Sequence, residues 1–85
     1  SKERLDQALD GGVDIVTFTS SSTVENFINL LGDNYRHKLS GVTLASIGPV
    51  TSRTLRKFGL KVGAQAKMYT VEGLVDAIIK RKRYD

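Results

Sequence analysis

Twice in this chain a short apolar run empties into small hydroxyl-bearing residues just where a helical pattern begins. The clearer case is Ile47-Gly48-Pro49-Val50-Thr51, and Phe18-Thr19-Ser20-Ser21-Ser22-Thr23 repeats it earlier. A strand that feeds directly into a helix must return by a crossover, which predicts a parallel sheet with helices packed on its faces. Both junctions then fall on the carboxyl edge of one sheet, where open α/β folds hold their ligands.

The rest of the chain keeps the same rhythm. Leu5, Ala8 and Leu9 form a short helical stripe that stops at Asp10-Gly11-Gly12. Residues 13–18 are β-branched and aromatic and predict a strand. Val24, Phe27, Ile28 and Leu31 then share one helix face, with Ser22 and Glu25 spaced as a capping box that starts the helix at Ser22. Gly32-Asp33-Asn34 ends that helix, and Ser40-Gly41 ends the connection that follows.

Residues 42–47 predict the second strand, and Pro49 suits a first helical turn, where its missing N–H costs nothing. Thr51, Leu55 and Phe58 form that helix's inward stripe, and Gly59 closes it. Residues 62–66 are a weak third strand whose glycine and small residues predict an edge. Thr70 caps a last helix with the stripe Val71, Leu74, Val75 and Ile78. The predicted order is αβαβαβα: an α/β fold with a partial flavodoxin-like parallel sheet of three strands and flanking helices.

Composition removes several alternatives. At 85 residues the chain is one domain at most, and it has no cysteine for disulfides or thiolate metal sites. Lys and Arg number 13 against 9 Asp and Glu, a net charge of +4 that favours anionic partners. No apolar run approaches a membrane span and no signal peptide is visible, so a cytoplasmic protein with no membrane partner is expected. The chain opens on Ser1 rather than Met, as expected of a piece of something longer.

His37, the single histidine, sits in the polar stretch Tyr35-Arg36-His37-Lys38 and is expected to be solvated. Neither a Walker phosphate loop nor a dinucleotide fingerprint is present. Asp14 lies near a strand start, not an end, which argues against a phosphoacceptor receiver. The run Lys80-Arg81-Lys82-Arg83 is expected to be a solvated helix end, not a nucleic-acid contact. Neither a metal nor a cofactor is called for.

What remains is the loops. A helix N-terminus presents unpaired N–H groups and partial positive charge to carboxylates and phosphates. Ser20, Ser21, Ser22 and Thr23 add hydroxyls at one such end; Gly48, Thr51 and Ser52 offer backbone access and hydroxyls at the next; Tyr69-Thr70 completes a third. Taken singly, Ser22 and Thr70 read as plain caps, and Gly48-Pro49 as turn chemistry. Three such ends on one sheet edge give the functional reading its weight.

Three segments, Asp14-Ile15-Val16-Thr17-Phe18-Thr19-Ser20, Ile47-Gly48-Pro49-Val50-Thr51 and Tyr69-Thr70-Val71-Glu72-Gly73-Leu74, occur in an order and spacing that resemble the C-terminal stretch of uroporphyrinogen-III synthase. That resemblance implies two flavodoxin-like domains joined by connecting strands, with the substrate in the cleft between them. Residues 1–85 are then the C-terminal portion of one domain, with the second domain as a missing partner. It further implies a lyase that cyclises hydroxymethylbilane, an anionic linear tetrapyrrole, to uroporphyrinogen III. Hydroxide leaves to give an azafulvene, and the terminal ring is inverted through a spiro intermediate. The protein must mainly fold the substrate, assist the leaving hydroxyl and shield the intermediate, which suits preorganised amides and hydroxyls.

Carried over residue by residue, the cleft-facing role falls on Ser20, Ser21, Ser22, Gly48, Val50 and Thr51. Val50 stands where the family often has a second hydroxyl, so only its backbone is expected to take part. The upstream tyrosine proposed as the family's acid has no counterpart here, so no catalytic residue is assigned and the chain alone is expected to be inactive. Three strands are also expected to pack helices chiefly on one face, leaving apolar surface that favours self-association. The rival from another class is a non-catalytic anion- or nucleotide-binding module using the same helix ends.

Overall fold

Successive side chains of a strand point to opposite faces, and the fold follows from which residues each strand sends to which face. The computed structural model describes residues 2–84. Ser1 and Asp85, at the ends of the expected unit, and the side chains of Lys82 and Arg83 in the basic run and of Tyr84 lie outside the described residues. The elements are α1 (Lys2–Asp10), β1 (Ile15–Phe18), α2 (Ser21–Leu31), α3 (Tyr35–Lys38), β2 (Thr43–Ser46), α4 (Pro49–Lys57), β3 (Ala64–Gln65) and α5 (Val71–Tyr84). The sheet is parallel in the order β1-β2-β3, with Val16 opposite Leu44 and Ala45 opposite Ala64. The fold is the expected α/β arrangement, with a three-stranded parallel sheet flanked by helices and compatible with part of a flavodoxin-like domain.

Phe18 and Leu44 point to one face and join Val24, Ile28, Leu31, Leu39 and Leu55 in the main core, with Leu5 and Leu9 of α1 packed against it. Ile15, Ala45, Ala64 and Ala66 point to the other face, where they meet Leu74 and Ile78 of α5. Helices α1 to α4 therefore form one layer, and α5 alone covers the opposite face. Gly32 ends α2 at φ 84°, with its N–H donating to the Ile28 carbonyl, a left-handed conformation that favours glycine.

Three features depart from the expected pattern. The connection after α2 contains the single helical turn α3, which the sequence does not predict. Four polar residues cannot nucleate a helix alone; Tyr35 holds this turn by donating its hydroxyl to the Phe58 carbonyl at 2.7 Å and by edge-to-face contact with the Phe58 ring. His37 is exposed, as expected. On α5 the inward stripe is Leu74, Ala77 and Ile78, whereas Val71, Val75 and Ile79 are exposed. One narrow bank of alanines on β2 and β3 occupies a single side of that helix, so Val71 and Val75 have nothing to pack on.

Among the described residues no strand pairs with the outer side of β1. Thr43 donates to the Asp14 carbonyl at 2.8 Å and Ile47 to that of Phe18 at 3.0 Å. The even-numbered residues thus spend their backbone groups on β2, and those of Ile15 and Thr17 face outward.

The lower end of the helical layer is tied by charge. Lys2 and Lys38 both donate to the carbonyl of Leu31, the last residue of α2, where cations oppose the helix dipole. Lys38 also binds Asp6 at 3.0 Å. That hydrogen bond, helped by the nearby Lys charges, holds the Asp6 carboxyl below its ordinary value, and the same bond with the carboxylate charges raises Lys38. A depressed carboxylate contributes stability above its unfolded value of about 4, lost as pH falls through the folded value. The raised Lys38 contributes below its ordinary value and loses that contribution as pH rises through the folded one. Asp6→Asn should therefore lower the urea midpoint slightly at pH 7 and by less at pH 3, the pair being partly exposed to solvent and weak. Equal midpoint losses at both pH values would show that the pair contributes nothing.

Candidate functional site

Because the sheet is parallel and a helix follows each strand, the N-termini of α2, α4 and α5 gather at its carboxyl edge. At the first, Ser20 is the N-cap, extended at φ −161° and ψ 160°, and its Oγ accepts from the Thr23 N–H at 3.1 Å. The same Oγ lies 2.7 Å from the Thr23 hydroxyl and 3.2 Å from that of Ser22. The expected capping box at Ser22 is thus corrected by two residues. β1 ends at Phe18, so the extended cap position falls on Ser20, and Ser22 sits inside the first turn, exposed.

Ser21 joins two of the helix starts. It donates to the Val50 carbonyl at 3.4 Å and accepts from Thr54 Oγ1 at 2.9 Å, so α2 and α4 are held side by side by hydroxyls. The N-cap of α4 is Gly48, whose N–H donates to Ser46 Oγ at 3.2 Å while that hydroxyl donates to the Gly48 carbonyl at 2.8 Å. Ser46 is fully buried, and its double contact sets the loop.

Thr51 and Ser52 are both buried. Ser52 Oγ is spent on Gln65 Oε1 at 2.6 Å, so it ties α4 to the end of β3 and offers no hydroxyl to a ligand. The exposed part of this loop is Pro49 and Val50. Val50's carbonyl is already taken by Ser21 and Thr54, which leaves its N–H as the free backbone group.

Thr70 caps α5 as expected, accepting from the Gly73 N–H at 2.9 Å. The third start touches the second: the Tyr69 ring lies over Gly48, with Cδ1 and Cε1 each 3.3 Å from where a glycine Cβ would stand. This contact, Thr54, and the roles of Ser46 and Ser52 are what sequence reasoning missed, since each joins residues from different elements or buries a hydroxyl that looks like a surface group. Only the glycine at position 48, with no side chain to oppose an approaching ring, is a signal that could have pointed to one of them.

The first-turn N–H groups of Ser21, Ser22, Val50, Thr51, Val71 and Glu72 have no partner within their helices. Together with the exposed Ser22 hydroxyl they form a surface that can bind carboxylate or phosphate oxygens. The groups whose protonation is displaced, Asp6 and Lys38, lie at the far end of α2. Among the described residues no set of three or more His, Cys, Asp or Glu side chains could hold a metal ion, and no helix is long and apolar enough to cross a membrane. A groove of about 520 Å³ borders this edge at Met68 and Gly73 but runs away from it along β3 towards Lys80.

The chain is similar to known proteins over most of its length. It is 41% identical over 70 residues to the uroporphyrinogen-III synthase of Synechococcus elongatus, covering 78% of this chain and 26% of that one. It is 38% identical over 81 residues to a Methanothermobacter thermautotrophicus protein provisionally given the same name, covering 92% of this chain and 32% of that one. The chain thus spans about a quarter to a third of the length of these relatives. Residues 1–76 match the profile of the family described as uroporphyrinogen-III synthase HemD, and the chain belongs to that family.

Proposed function

We propose that this chain is part of a uroporphyrinogen-III synthase, the lyase that cyclises hydroxymethylbilane with inversion of its terminal ring. In this reading it forms one wall of the cleft that holds the tetrapyrrole, as the C-terminal portion of one domain, and is inactive alone. The observation that carries the reading is the convergence of three helix starts on one sheet edge, linked by Ser21 to Val50 and by Tyr69 to Gly48. Their amides and hydroxyls suit the substrate's carboxylates and the departing hydroxide. Ser22 and the N–H groups of Ser21, Val50 and Thr51 make direct contacts, while Ser20 and Gly48 position them. The outward backbone groups of Ile15 and Thr17 support the same reading, because a bare edge accepts a further strand of a larger sheet.

The test is a titration of the isotope-labelled chain with uroporphyrinogen III under anaerobic conditions, followed by amide shifts. Saturable shifts confined to residues 20–23, 48–51 and 70–73 are expected, with no cyclase activity from the chain alone. Tighter binding of ATP or inorganic phosphate at the same amides would instead favour a nucleotide- or anion-binding module.

A further inference from the structure

The carboxyl edge carries more apolar surface than a site for carboxylates requires. Val50, Met68, Tyr69 and Val71 are 63%, 68%, 67% and 64% exposed, and all stand at the α4 and α5 starts. Tyr69 is the only aromatic among them. Tyr35, by contrast, is half-buried, spends its hydroxyl on Phe58 and packs against that ring.

The Tyr69 ring is braced, not merely exposed. One side rests on Gly48, where a Cβ would stand 3.3 Å from the ring and press it outward by a few tenths of an ångström. The turn that carries it is held by the Thr70 N–H on the Met68 carbonyl at 2.8 Å, and Thr70 in turn caps α5. An aromatic ring supported on backbone and left open to solvent has already given up much of its motion, so a second ring can stack on it at little further entropic cost.

We propose that Tyr69, braced on Gly48, is a stacking platform for one five-membered ring of the ligand, set between the amides that take its carboxylates. This rests on the tetrapyrrole reading above, since pyrroles are flat, electron-rich and flanked by acidic side chains. The apolar rim of Val50, Met68 and Val71 then excludes water around the stacked ring. Tyr69 acts by positioning: it fixes where the ring lies relative to the amides of Val50 and Thr51 and takes no part in proton transfer.

The experiment compares the chain with Tyr69→Phe and Tyr69→Leu, using uroporphyrinogen III as the ring-bearing probe and tricarballylate as a carboxylate without rings. Leucine keeps an apolar contact with Gly48, and amide spectra check that each variant retains its fold. The Tyr69 ring protons should move upfield on titration with uroporphyrinogen III, saturating together with the amides of Ser21, Ser22, Val50 and Thr51. Tyr69→Phe should bind it as the parent does, and Tyr69→Leu about tenfold more weakly. Tricarballylate should bind all three alike. If the amides shift but the ring protons do not, or if Tyr69→Leu binds uroporphyrinogen III undiminished, the platform is refuted while the cleft reading stands. If uroporphyrinogen III moves neither ring nor amides, both fall.

Discussion

Replacing Phe18 by alanine is expected to remove a large share of the stability of the fold. Phe18 is 1% exposed, ends β1, and meets Phe27 edge-to-face with ring centroids 5.3 Å apart. It sits among Val24, Ile28, Leu31, Leu44 and Leu55, where helices and sheet share one core. Truncating a buried phenylalanine costs about 3–5 kcal/mol in lost transfer energy and residual cavity. A chain of this length has about 4–13 kcal/mol in all. The opposite face cannot compensate, because only α5 covers it, and its cluster holds small alanines, one leucine and the partly buried Ile15 and Ile78. The measurement is urea unfolding followed by far-UV circular dichroism. Phe18→Ala should show a midpoint shifted far towards zero urea, corresponding to a loss of about 3–5 kcal/mol. The control is Val50→Ala, which removes an exposed side chain and should stay within about 0.5 kcal/mol of the parent. A Phe18→Ala midpoint equal to that of Val50→Ala would mean that the main core is not what holds the fold.

The second large effect is local and bears on the site. Gly73 is the third residue of α5, and its N–H donates to the Thr70 cap. A Cβ at this position would land on the Met68 carbonyl oxygen, inside contact distance, and 3.1 Å from Met68 Cβ. Alanine in a helix interior normally gains about 1 kcal/mol over glycine. Here the obstacle is backbone, which cannot swing aside as a side-chain tip can, and overpacking of this kind costs about 1–3 kcal/mol. The clash should prevail. Gly73→Ala is expected to lose about 2 kcal/mol of stability and to displace the Met68–Thr70 turn, carrying Tyr69 off Gly48. Amide shifts should then spread over residues 66–75 and reach Gly48, while Ser20 to Thr23 stay in place. Ligand binding should weaken through the α4 and α5 starts together. A Gly73→Ala variant as stable as the parent, with Gly48 unmoved, would mean that the turn yields at no cost.

The two substitutions also separate what was legible in the chain from what was not. Strands such as residues 13–18 stand out as β-branched and aromatic runs, and helix faces such as Val24, Phe27, Ile28 and Leu31 repeat at helical spacing. Both are local patterns that a reader of the sequence recovers. The start of α4 at Gly48-Pro49 and the Thr70 cap were equally readable, because a cap is chemistry between residues three apart. The start of α2 was misplaced by two residues. Ser20, Ser21 and Ser22 are interchangeable as hydroxyl acceptors for a cap, and the choice among them depends on where β1 stops pairing with β2.

By itself, then, the amino-acid order determined the alternation of strands and helices, the parallel sheet, and the gathering of three helix starts at one edge. Each is dictated by periodicity, by turn chemistry, or by the geometry of crossovers between parallel strands. Tertiary structure alone decided the one-turn α3 held by Phe58, the exposure of Val71 and Val75, the burial of Ser46 and Ser52, and the seat of Tyr69 on Gly48. All of these depend on contacts between residues distant in sequence. Such contacts are settled by which surfaces remain to be covered once the sheet has formed, and no local spacing encodes that.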